Sequence, residues 1–206
     1  GIFIEFDEID ILKAKALIIG PKDTIYDNAY LFFTIEFPKN YPFSPPILTY
    51  KSQNKVRIHP NIYVNGKVCL SILGTWSGPS WTHTMDITTV LLTIQSLLDN
   101  NPLANEPGYE KISGNNLIYE NYNKIIRYNT IDSLIVDRIN TDFIDFDIFK
   151  NTMIEYFKKN NLYINDTIEI NKNIKENIKI GIYRIDISID YEYLKIKYDK
   201  LNINLN

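Results

Sequence analysis

Cysteine is almost absent from this 206-residue chain: Cys69 is the only one, so no intramolecular disulfide is possible and packing must hold the fold. With only two histidines, at spacings unrelated to that cysteine, a structural zinc site is not expected, and the predicted metal set is none. No apolar run approaches the roughly 20 residues of a membrane span, and the start Gly1-Ile2-Phe3-Ile4-Glu5 lacks the basic region of a signal peptide. Against 25 acidic residues the 22 basic ones leave a net charge of −3, and they are scattered, so there is no electrostatic footprint for nucleic acid. Neither membrane nor nucleic acid is an expected partner. A free thiol fits a reducing compartment, which makes the sequon Asn165-Asp166-Thr167 uninformative and points to the cytosol, with the nucleus left open.

What is present is enough apolar residue, 45%, to bury one sizeable core or a core with a small appendage. Ile2-Phe3-Ile4-Glu5-Phe6 alternates, Leu12 to Ile19 is mixed apolar, and Gly20-Pro21-Lys22-Asp23 reads as a turn. Ala29 to Phe37 is aromatic and β-branched on both faces, as a buried strand requires, and Ile47 to Tyr50 can add a fourth. Short strands joined by turns predict an antiparallel meander. Ile87 to Leu98 is too apolar for a surface helix and reads as one packed across that sheet. Amphipathic helices are expected over Asn116 to Asn129, with continuation to Ile139 open, and over Ile148 to Lys159. From Ile164 to Ile189 isoleucine alternates with polar residues, which fits either short strands or a codon bias; Asp190 to Leu201 returns to helical spacing. No low-complexity linker marks an independent second domain, so the division expected is a core over residues 1–160 with an extension, 161–206, packed on it.

Cys69 lies in the run His59-Pro60-Asn61-Ile62-Tyr63-Val64-Asn65-Gly66-Lys67-Val68-Cys69-Leu70-Ser71-Ile72-Leu73. The His-Pro-Asn triplet, the glycine three residues before the cysteine and the tail Cys-Leu-Ser-Ile-Leu together resemble the active-site motif of ubiquitin-conjugating enzymes. The chemistry suits those residue types. A thiolate is both a strong nucleophile and a good leaving group, so one cysteine can take an acyl group from a thioester and release it to an amine. Amine attack passes through a tetrahedral oxyanion, which a side-chain amide can stabilise, and the resemblance assigns that role to Asn61. Pro60 fixes its own φ and biases His59 toward extended geometry, stiffening the loop. His59 reads as a structural hydrogen-bonding residue rather than a base.

The flanks extend the likeness. Phe37-Pro38-Lys39-Asn40-Tyr41-Pro42-Phe43-Ser44-Pro45-Pro46 is similar to the loop after the third strand of the family, making Phe43 a ligase-docking residue by resemblance; the alternative is a Phe43 tucked into the core. Trp81-Thr82-His83-Thr84 falls at the second docking loop, where many members carry Trp-Ser-Pro-Ala; here the proline is absent. Gly74-Thr75-Trp76-Ser77-Gly78-Pro79-Ser80-Trp81 and Asn101-Pro102-Leu103-Ala104-Asn105-Glu106-Pro107-Gly108-Tyr109-Glu110 resemble the larger members with an extended active-site loop and a long C-terminal segment, among them one served by a non-classical activating enzyme, and Tyr122-Asn123-Lys124-Ile125-Ile126-Arg127 continues the likeness. Asn105 stands where many relatives have an aspartate near the thiol. Leu92 and Ser96 on the crossing helix are candidates for donor-modifier contact. The family's opening amphipathic helix has no counterpart before the first strand.

The resemblance implies an α/β (α+β) fold of the ubiquitin-conjugating type, with a four-stranded antiparallel meander, a crossing helix and C-terminal helices. It implies an acyltransferase that accepts ubiquitin or a ubiquitin-like modifier on Cys69 from an activating enzyme and passes it to lysine of protein substrates, with or without a ligase. No cofactor is expected to be bound, ATP being consumed upstream by the activating enzyme. Two alternatives remain: a non-catalytic ubiquitin-binding variant of the fold, which retention of Cys69 disfavours, and a cysteine hydrolase using His59 or His83 as base, which needs a histidine oriented by a third group.

Overall fold

Alternating and β-branched segments become strands where the pattern places them. In the computed structural model, which describes residues 1–141 and 144–205, β1 (Ile2–Phe6), β2 (Lys13–Ile19), β3 (Tyr30–Glu36) and β4 (Ile47–Lys51) form one antiparallel sheet in the order β1-β2-β3-β4. Phe33 on β3 lies opposite Ala16 on β2 and Tyr50 on β4. β3 is buried on both faces, which explains why it shows no hydrophobic alternation.

The helix α1 (Ile87–Leu97) starts where Asp86 caps it, its carboxylate accepting the Thr89 N–H at 2.9 Å. It buries Val90, Leu91 and Ile94 and packs on β2, where Gln95 Nε2 donates to the Ile19 carbonyl at 3.2 Å. The helix crossing the sheet is therefore as the sequence reading has it. α2 (Leu117–Asn129), capped by Asn116, runs on through a wide π-helical stretch, Thr130–Asp137, into α3 (Arg138–Asn140), so the continuation left open from sequence is present.

A short 3-10 segment, Ile144–Phe149, leads into α4 (Lys150–Asn171), and together they cover one face of the sheet: Phe32 stacks on Phe146 at 4.4 Å and Tyr30 donates its hydroxyl to the Met153 carbonyl. α4 is far longer than the predicted 148–159 helix. It passes through residue 160 unbroken, so the expected boundary between 1–160 and 161–206 falls inside a helix, and both sides share one hydrophobic core. Of the ambiguous isoleucine-rich segment, the first part is helix. The rest is a hairpin of β5 (Lys175–Ile180) and β6 (Ile185–Asp190), followed by α5 (Tyr191–Leu205). Its alternation was real: Ile178, Ile180, Ile185 and Ile189 are all buried. No described helix is long and apolar enough to cross a membrane.

Candidate active site around Cys69

The chain leaves β4, loops out, and returns so that the residues before and after a tight turn pair with each other. Ile62 bridges Val68, and Thr49 at the sheet edge bridges Lys67. The turn requires Gly66: its φ is +95°, and a Cβ there would come within 2.7 Å of Thr49 Cγ2 and 3.0 Å of the Tyr50 carbonyl. Asn65 adds its side chain, Oδ1 accepting the Lys67 N–H at 3.1 Å. The start of the loop is pinned by two buried tyrosines. Tyr26 donates to the Ile58 carbonyl at 2.7 Å and Tyr122 to the Arg57 carbonyl at 2.8 Å.

Cys69 emerges from this frame 2% exposed and in no disulfide. Two clasps hold it. Its N–H donates to the Asn61 carbonyl at 2.8 Å, while Asn61 Nδ2 donates back to the Cys69 carbonyl at 2.7 Å. On the other side Thr75 Oγ1 donates to the Val68 carbonyl at 2.7 Å and accepts the Leu70 N–H at 2.9 Å, closing the main chain around the cysteine. The Asn61 amide thus spends one N–H on bracing and keeps a second.

His59 is fully buried, and its Nδ1 accepts the Asn61 N–H at 3.0 Å. Nε2 lies on the side of the Leu97 carbonyl without a hydrogen bond of ordinary geometry. Burial pushes the imidazole pKa down to about 3, against a usual 6.5, so the ring is neutral at working pH. Among the described residues neither histidine is hydrogen-bonded to Cys69. The orienting bond that a hydrolytic Cys-His pair needs is therefore missing on the His59 side, where the lone pair already serves Asn61.

His59, Pro60, Asn61 and Cys69 are brought into one unit. The two loops read as docking elements also meet: the Phe43 ring lies 6.0 Å from His83, and Trp81 Nε1 donates to the Pro42 carbonyl at 2.7 Å. Phe43 is 75% exposed, so it is not a core residue, and Thr82 and His83 are exposed beside it. Leu92 and Ser96 share the outward face of α1, one turn apart, with Leu92 52% exposed. Asn105 makes no hydrogen bond to the unit among the described residues. It ends the 3-10 turn Pro102–Asn105, and its Nδ2 turns back to the Pro102 carbonyl at 3.3 Å.

A family model described as "Ubiquitin-conjugating enzyme" matches residues 2–129, more than half of the sequence. The chain belongs to the ubiquitin-conjugating enzyme family. Human "Ubiquitin-conjugating enzyme E2 Z" is 45% identical over 141 residues, which are 66% of this chain and 39% of that protein. The Arabidopsis thaliana "Probable ubiquitin-conjugating enzyme E2 25" is 46% identical over 118 residues, 55% of this chain and 19% of its own. A solved E2 domain of a Toxoplasma gondii ubiquitin-conjugating enzyme aligns with a TM-score of 0.44 and 30% identity, over 52% of this chain and 70% of that one. The chain spans well under half the length of the E2 Z relatives it matches.

Several residues at this family site carried no signal in the sequence. Thr75 was visible only as part of a loop. Arg57, Tyr63 and Tyr183 stack as a sandwich, the guanidinium 3.6 Å from the Tyr63 ring and 4.2 Å from that of Tyr183, and Tyr183 comes from beyond the matched residues. A pairing 126 positions apart has no local pattern to betray it.

Proposed function

We propose that this chain carries ubiquitin or a ubiquitin-like modifier as a thioester on Cys69. The thiolate attacks the modifier's C-terminal carbonyl on the activating enzyme, forming the new C–S bond and expelling that enzyme's thiolate. A substrate lysine amine then attacks the same carbonyl, the C–N bond forms, the C–S bond breaks, the Cys69 thiolate leaves, and the amine gives up a proton. ATP is spent upstream and no bound cofactor takes part.

The observation that supports this reading is the reciprocal clasp between Asn61 and the Cys69 main chain, which ties the chain's one cysteine to a side-chain amide that has a second N–H. That second N–H is the donor for the developing oxyanion. His59 and Pro60 hold the loop, and Asn105 lines the approach of the amine. Phe43, Trp81, Thr82 and His83 form the ligase-docking surface, and Leu92 with Ser96 contact the donor modifier. A reducing compartment, cytosol or nucleus, is where the thiol works.

The test is incubation with an activating enzyme, ATP and ubiquitin, read on a non-reducing gel. Wild type should give a shifted band removed by thiol, Cys69→Ala none, and Cys69→Ser a thiol-resistant oxyester. A thiol-sensitive adduct on Cys69→Ala would end the proposal; ubiquitin affinity without any adduct would favour the non-catalytic binder.

A further inference from the structure

The hairpin of β5 and β6 lies wholly outside the residues that match the family model. An isolated hairpin is barely stable, and this one packs on α2, where Lys124 Nζ pairs with Glu176 at 3.4 Å and the Tyr128 hydroxyl donates to the Asp190 carbonyl at 3.4 Å. In its turn Tyr183 and Arg184 take φ values of +57° and +52°, a region L side chains rarely adopt. A backbone held there persists only when its surroundings fix it. Here the surroundings are the contacts of the Tyr183 side chain, which the turn delivers to Arg57.

The Arg57 guanidinium lies against two aromatic rings, Tyr63 at 3.6 Å and Tyr183 at 4.2 Å. The Tyr183 hydroxyl is anchored on Glu106 Oε2 at 2.6 Å, and its ring meets Tyr122 edge-on at 6.0 Å. Tyr122 donates to the Arg57 carbonyl at 2.8 Å, so main chain and side chain of Arg57 are both held. A guanidinium packed on aromatic faces is attracted by them and loses rotamer freedom, and its Nη2 is here aimed at the Pro60 carbonyl. That carbonyl and the Asn61 N–H belong to one peptide unit. Its oxygen accepts from Arg57 and its N–H donates to His59 Nδ1 at 3.0 Å, so the plane of the peptide is held from both ends. Asn61 starts from that plane, and its carbonyl and side-chain amide are the two partners of the Cys69 main chain.

We propose that Tyr183 is a positioning residue for Asn61: its ring holds Arg57 on the Pro60 carbonyl, and Arg57 sets the peptide plane from which the Asn61 amide is presented. A residue beyond the matched region thereby completes the loop that carries the oxyanion donor. A donor aimed at a developing charge works only within a narrow range of geometry, so a loosened peptide plane slows the amine step without touching the thiol. The inference rests on the reading of Cys69 as the thioester site and of Asn61 as that donor, and assigns a task to the C-terminal hairpin within it.

The experiment uses the full chain as wild type, Tyr183→Phe, Tyr183→Asn, Asn61→Ala and the double variant of the last two. Asparagine tolerates the left-handed backbone and removes the ring, whereas phenylalanine keeps the ring and removes only the bond to Glu106. Two quantities are read: hydrogen exchange at the Asn61 amide of the uncharged protein, and single-turnover discharge of ubiquitin-charged protein to free lysine across lysine concentration. Tyr183→Asn should speed exchange at Asn61 about tenfold while the Phe33 amide in β3 stays as in wild type, and should slow saturating discharge about tenfold at an unaltered half-saturating lysine concentration. Tyr183→Phe should stay within about twofold of wild type in both, because the ring on Arg57 remains. On the Asn61→Ala background Tyr183→Asn should add no more than about twofold, since it would act only through Asn61. Wild-type exchange or discharge in Tyr183→Asn, an equal loss in Tyr183→Phe, or effects that multiply in the double variant overturns the inference while the charged band still supports the thioester reading. Asn61→Ala discharging like wild type, or a wild type that never charges at Cys69, removes the reading beneath it as well.

Discussion

His59 makes the acid stability of this protein a test of the buried loop. Its imidazole is neutral in the fold, with pKa about 3, while an unfolded chain gives it the ordinary 6.5. The unfolded state therefore binds the extra proton between those values, and stability falls as pH drops through that window while remaining whole above it. At pH 5 the linkage amounts to about 1.5 pH units at 1.36 kcal/mol each, or about 2 kcal/mol, a large share of a typical domain's 5–15. Protonation at Nδ1 would also set a donor against the Asn61 N–H. The assay is urea unfolding at pH 7.5 and pH 5 for wild type and His59→Asn, which lacks the titrating ring. Asparagine will lower stability at both pH values, but the difference between the two pH values is what counts. Wild type should lose about 2 kcal/mol more than the variant, near 1 M in urea midpoint for an m-value of about 2 kcal/mol/M. Equal pH losses in the two proteins would mean that His59 is not held neutral, and the account of the loop would be wrong.

Asn61→Ala should cost about 1 kcal/mol through the lost bond to the Cys69 carbonyl and slow lysine discharge by about 10²-fold; thermal melting with single-turnover kinetics separates the two effects, and a discharge rate equal to wild type would dismiss the oxyanion role. Gly66→Ala should destabilise by about 1–3 kcal/mol, since the added methyl group meets Thr49 and the backbone is left-handed there; a melting temperature unchanged by the substitution would contradict the turn geometry. Phe43→Ala, at an exposed ring, should change stability by no more than about 0.5 kcal/mol while weakening ligase-stimulated discharge relative to unstimulated discharge; the comparison of the two rates is the check.

The sequence by itself determined the sheet, the crossing helix and the chemistry-bearing loop. Period-two alternation, β-branched content and the Asp86 and Asn116 caps are local signals, and local hydrogen bonding and burial act directly on them. The His-Pro-Asn to Cys run was legible for another reason, its resemblance to a family motif; the turn at Gly66 and the pairing of Ile62 with Val68 came only from the structure. Between Lys159 and Asp190 that legibility failed, and it returned with the helical spacing of Asp190 to Leu201, which is α5. The helical stretch up to Asn171 and the hairpin after it carry the same isoleucine-polar mixture, and only packing decides which part winds and which extends, α4 against α5 and the hairpin against α2. Phe43 was equally undecidable, since an exposed ring against His83 and a buried one share a sequence. Tertiary structure alone decided that Asn61 spends an N–H on the Cys69 carbonyl, that Thr75 clasps both sides of the cysteine, and that Tyr183 lies on Arg57 and Glu106. Those contacts join segments whose separation along the chain is set by nothing but the path of the fold, so no window of sequence contains them.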